Sequence, residues 1–296
     1  RYHCSQLLHC SQGMTTMLNH LAAPRMATIS HFFSTQSEED LLGAYAWTQA
    51  VAAALWPVMG DFEVFLRNAL HRALSRHYGN CDSFDWMRAR ANPVSAKAKP
   101  FPARHRMDTR QQEDIGKIEG RIKKSLITPD DIVAHLTFGF WEKLIAGLWH
   151  ASQPQGLNAV ILQTVFPHAP QGLPHGDRQF KQQVERLLQR LRDVRNRIGH
   201  HDAIWTTPEF DVRGVLGFIP RRPRHTVNSL HLLLQRVQWF AGWIHPEIAC
   251  HIGHTAHWQH CHALLSQQAL AHYRATAGRD GSWKYAHLCA DDRYHF

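Results

Sequence analysis

An all-α fold is what this sequence predicts, and three observations predict it. Apolar residues recur at three-and-four spacing in several long windows. Those windows open on capping residues and close on glycine or proline. No alternating strand pattern of useful length, heptad run or internal repeat competes with them. At 296 residues, 44% of them hydrophobic, the chain can bury a sizeable core as one large domain or two small ones.

The elements follow in order. Residues 1–25 show neither the charge, apolar core and small-residue site of a signal peptide nor a clear period. They read as a non-native or disordered extension, with the helical domain at 26–275 and a polar tail of uncertain order at 276–296. Ser37 before Glu38, Glu39 and Asp40 supplies an N-cap and an acidic first turn for a helix that Pro57 should end or kink. A second helix is expected over 58–78, where Phe62, Phe65, Leu66, Ala69, Leu70 and Leu74 share a face and Gly79 stops it. Prolines at 93, 100 and 102 among basic residues make 89–112 a basic loop.

Thr128, Pro129, Asp130 and Asp131 form a strong helix start for the apolar run that follows, with Phe140 and Trp141 as core. A short apolar segment, LNAVILQTVF, precedes a Pro- and Gly-rich loop at 167–176. The next helix, 177–199, carries the stripe Phe180, Val184, Leu187, Leu188, Leu191, Val194 and Ile198. Helices at 226–244 and 247–272 complete the reading.

Charge and cysteines narrow the function classes. The net charge is +9 with 24 histidines uncounted, and the longest uncharged stretch, 41–60, is too broken for a span. An acidic partner is therefore expected, and a nucleic-acid backbone is the commonest. Six cysteines without a CxxC pair or a disulfide framework suit a reduced, cytoplasmic chain.

The chemistry concentrates where the stripe helix stops, in RNRIGHHD at 195–202. Arg195 lies at the margin of the apolar stripe, where a charge needs a partner or an open cleft. Gly199 marks the helix end, which places His200 and His201 by the negative end of the dipole, where imidazolium is favoured. Arg, a polar amide and His together serve phosphodiester cleavage without metal: the imidazole moves protons, the guanidinium meets developing charge, and the amide orients. The same residue types also occur at helix ends as plain capping and surface groups.

RNRIGH is similar to the RNxxxH form of the motif of HEPN ribonucleases, and RNRIGHHDAIW resembles the matching segment of Abi-like (abortive infection) HEPN proteins. FEVFLRNALHRALSRHYG at 62–79 resembles that family's N-terminal helix, and DDIVAHLTFGFWEKL at 130–144 its central FGFW segment, in family order. The resemblance spans about 35–245 and departs at Gly199, where alanine is commoner in such strings; the region after 245 has no counterpart. It implies a HEPN-like helical bundle that dimerises, with motifs from both protomers facing one cleft. The implied activity is metal-independent cleavage of RNA by 2′-hydroxyl attack, in phage defence or as a toxin restrained by an antitoxin or RNA partner. Arg195 would stabilise the transition state, Asn196 would orient, and His200 would act in acid/base transfer. No metal, cofactor or membrane is implied. The alternative is a non-catalytic HEPN-type RNA-binding or scaffold protein.

Other residues are candidates for supporting positions. His201 reads as a group behind the catalytic ones or a packing residue, and Glu63 with Arg67, four apart, as an ion pair that supports the cleft or lies on the surface. Arg186, Arg190 and Arg197 share a flank of the motif helix and are candidates to guide RNA phosphates, as are Arg221, Arg222 and Arg224. The string CHIGHTAHWQHCH at 250–262 repeats histidine every third residue, but no second cluster exists to close a zinc site.

Overall fold

One helix organises the molecule, because its apolar residues are not confined to a single stripe. A computed structural model describes residues 18–79, 83–87, 109–151 and 153–279. In chain order its helices are α1 (Ala23–Phe33), α2 (Glu38–Tyr78), α3 (Thr109–Arg121), α4 (Pro129–His135), α5 (Phe138–Gly147) and α6 (Leu157–Val165), then α7 (Arg178–Gly199), α8 (Pro223–Ile244), α9 (Pro246–His254), α10 (Ala256–Leu264) and α11 (Gln267–Ala275). The all-α expectation holds: among the described residues no strand forms, only an isolated antiparallel bridge between Phe210 and Leu216.

Helix α2 starts as its sequence directs, with the Ser37 hydroxyl accepting from the Asp40 amide. It buries Trp47, Leu55, Phe62, Leu70 and Leu74 on several sides and packs against α1, α6, α7, α8, α10 and α11. The approach of α11 is close because position 43 is glycine: an added Cβ would lie 2.2 Å from the Tyr273 carbonyl oxygen. Arg274 of α11 then forms a forked pair with Asp40, whose carboxyl it holds below the usual carboxylate range.

Several boundaries differ from expectation. Pro57 does not end a helix; α2 runs through it for 41 residues. The carbonyl that Pro57 leaves unpaired belongs to Ala53, which is exposed, so water can satisfy it, and buried neighbours on the other sides hold the helix together. The run at 130–149 is two helices, since the backbone is extended at Leu136 and Thr137. The expected helix at 247–272 is three short ones, restarted by Thr255 and Ser266, whose hydroxyls accept from Trp258 and Ala269 amides.

The boundary drawn at Met26 falls inside α1, which begins at Ala23 with Pro24 in its first turn and buries Met26, Ile29 and Phe33. Residues 1–17, most of the basic loop at 89–112 and the tail beyond 279 lie outside the described residues. No described helix is long and apolar enough to cross a membrane.

Candidate functional site

The stripe on α7 is buried at every position named from its spacing, from Phe180 to Ile198, and this fixes the rotation of the helix. Arg195 consequently emerges at the edge of the stripe, against α2. Its guanidinium carbon sits 5.3 Å from the centre of the Trp56 ring and its Nε 3.9 Å from a Glu63 carboxylate oxygen. The ring meets the guanidinium carbon and the carboxylate its Nε, and the terminal nitrogens have no hydrogen-bond partner among the described residues. Asn196 is exposed on the next position, and His200 is exposed one turn further on.

Glu63 is mostly buried, with a side-chain exposure of 16%. Burial pushes its carboxyl up from the usual range, while Arg195 and then Arg67 pull it down. Arg67 also donates from Nη1 to the Ala134 carbonyl, 3.3 Å away near the C-terminal end of α4. The structure therefore joins Arg195, Glu63 and Arg67 in one row, with Arg67 turned toward α4 rather than the exposed end of α7.

The end of α7 is built by a two-bond cap. The Asp202 amide donates to the Arg197 carbonyl at 2.8 Å and the His201 amide to that of Ile198 at 3.1 Å. Such a cap needs a left-handed residue, and His201 fills that place with φ of 52°. Its ring lies 3.2 Å from the Gln49 side-chain oxygen, and Arg25 of α1 donates to its carbonyl. Gly199 is the last helical residue, and a Cβ there would touch Trp56 at 3.8 Å, an ordinary contact.

The basic flank proposed for RNA is partly committed elsewhere. Arg197 donates to the Ala203 carbonyl at 2.9 Å and the Thr206 hydroxyl at 3.3 Å, with Asp202 at 3.9 Å. Arg190 pairs with Asp193 at 3.5 Å. Arg186 is exposed, but the turn at Gly214 presses on its backbone side. Arg221 and Arg222 are exposed just before α8, and Arg224 is exposed in its first turn.

The histidine string resolves into separate partnerships. The break at Thr255 puts its two halves on different helices. His257 meets Asp61 of α2 at 2.6 Å, and His262 stacks edge-on with His231, centroids 4.5 Å apart. Burial pushes Cys261 up to about 12. Among the described residues no three metal-ligating side chains converge.

Three residues of the site, Gln49, Trp56 and Glu142, were missed from sequence. Gln49, Trp56 and Glu63 are seven apart on α2 and meet His201, Gly199 with Arg195, and Arg195 again, running antiparallel to α7. That spacing was readable for Gln49 and Trp56 once Glu63 was singled out. Glu142 is the one acid inside the FGFW helix, and it binds Arg192 of α7 at 2.6 Å. Burial pushes its carboxyl up and Arg192 opposes this. The three segments that carry the family resemblance thus pack on one another, and two Glu–Arg pairs lock α7 to the other two. Comparison of the chain with family models, curated proteins and solved structures finds no match in any of the three.

Proposed function

We propose that this chain is a metal-independent endoribonuclease of the HEPN type, acting as a homodimer in phage defence or as a toxin under the control of an antitoxin or RNA partner. One observation carries the reading: Arg195, Asn196 and His200 share the exposed end of α7, with the guanidinium braced by Glu63 and Trp56 and its terminal nitrogens open to an anion.

In the proposed reaction an imidazole takes the proton from the ribose 2′-hydroxyl, and that oxygen bonds to the adjacent phosphorus. Arg195 meets the added negative charge. The P–O5′ bond breaks, an imidazolium protonates the departing 5′ oxygen, and a 2′,3′-cyclic phosphate and a 5′-hydroxyl remain. One imidazole cannot be base and acid in the same step, so a second His200, from a second copy, completes the pair.

A second reading, a non-catalytic HEPN-type RNA-binding or scaffold protein, is favoured by one feature. The His200 ring has no hydrogen-bond partner among the described residues to fix its tautomer. Purified protein incubated with RNA in EDTA separates the two. Catalysis predicts that His200→Ala and Arg195→Ala each lower cleavage by about 10² to 10⁴ while thermal stability and oligomeric state are kept. RNA binding with no cleavage by the unmodified chain would establish the scaffold instead.

A further inference from the structure

The side of α2 turned away from the motif carries a second feature. At 100° per residue, Gln49, Trp56, Glu63 and Arg67 cluster along one line of the helix, and Phe65, Ala69, Arg72 and Arg76 fall about half a turn round from it. There a cavity of about 690 Å³ opens between α2, α6 and the α8–α9 corner. That volume is in the range of small-ligand sites.

Phe65, Ala69, Ala73, Ile244 and Ile248 form the apolar part of its wall. The two alanines are buried one turn apart behind the half-buried Phe65 ring, and the His251 ring meets Phe65 edge-on with centroids 6.0 Å apart. Arg72 and Arg76 are also one turn apart on the same lining, both exposed. Neither has an ion pair or hydrogen bond among the described residues, so both guanidiniums are open to an anion. The lining holds one carboxylate, Glu247, which projects into solvent at 91% exposure beside His245. His245 accepts the Glu247 amide on Nδ1, which leaves Nε2 as its outward donor.

We propose that this cavity binds a nucleoside phosphate, with the planar base against the Phe65 and His251 rings and the phosphate between Arg72 and Arg76. Two guanidiniums one turn apart suit a dianionic phosphate, which can take a bidentate bond from each. A carboxylate needs only one of them. The site shares no residue with the motif, so it stands or falls independently of the ribonuclease reading.

The test is equilibrium titration of the full chain with AMP, adenosine, inorganic phosphate and dodecanoate, with hydrogen exchange to locate the bound ligand. AMP is expected to bind at least about tenfold tighter than adenosine, as loss of charged hydrogen bonds implies. Arg72→Gln and Arg76→Gln, both at exposed positions, are each expected to weaken AMP about tenfold with unchanged melting. Protection on AMP binding is expected in 65–76 and 245–251, and Arg195→Ala and His200→Ala are expected to bind AMP as the unmodified chain does. The proposal is overturned if adenosine equals AMP, if the Arg72 and Arg76 variants bind normally, if only dodecanoate binds, if protection falls at 195–202, or if no probe binds.

Discussion

His200 and His201 are chemically the same and stand side by side, yet one backbone angle separates their surroundings. His201 takes the left-handed turn of the helix cap and directs its ring to Gln49, while His200 stays exposed at the end of α7. A non-glycine residue in that conformation is strained by up to about 1 kcal/mol. Replacing His201 by glycine is expected to raise stability by a few tenths to about 1 kcal/mol in denaturant melts and to leave RNA cleavage within a few-fold of the original. A much larger loss of cleavage would give the His201 imidazole a chemical part. Sequence could place both histidines at a helix end from Gly199 and the dipole argument. It could not tell them apart, because which residue turns left-handed depends on where the last helical bond closes. Trp56 and Glu142 were missed for a related reason: their importance comes from partners on another helix, and the register between two helices is set by packing that local periodicity does not contain.

At the level of elements, the sequence was most informative where side chains act on their own backbone. The Thr128 start is a full capping box, in which the Thr128 side chain accepts the Asp131 amide and Asp131 accepts the Thr128 amide. Thr128→Ala is expected to cost about 1 kcal/mol, read from the urea midpoint. Asp131 adds a pH signature. Bonds from Lys124 and then from Thr128 hold its carboxyl at about 2, against 3.8 for an unperturbed group. A lowered folded pKa means that this contribution is complete above 3.8 and is lost as the pH falls toward about 2, so Asp131→Asn should lessen the steepness of acid unfolding in that window. Boundaries were misread where tertiary packing overrode a local signal. Pro57 reads in sequence as a stop or a kink, yet the buried sides of α2 carry the helix past it. Thr255 and Ser266 were overlooked as restarts because the apolar spacing on either side of each looked continuous.

For the whole molecule, apolar periodicity and capping residues make the helical class legible, and the net charge raises the expectation of an acidic partner; neither depends on a contact map. The net charge of +9 concerns what the surface attracts. What composition could not supply is how α2, α5 and α7 come together so that Glu63 and Glu142 aim two arginines of one helix. The proposed function further requires that two copies present His200 to a single phosphodiester. Its most direct test is end-group analysis of RNA incubated with the purified protein in chelator. The account predicts 2′,3′-cyclic phosphate and 5′-hydroxyl ends that disappear with His200→Ala. Fragments ending in 5′-phosphate, or the same cyclic ends from the His200→Ala protein, would contradict it.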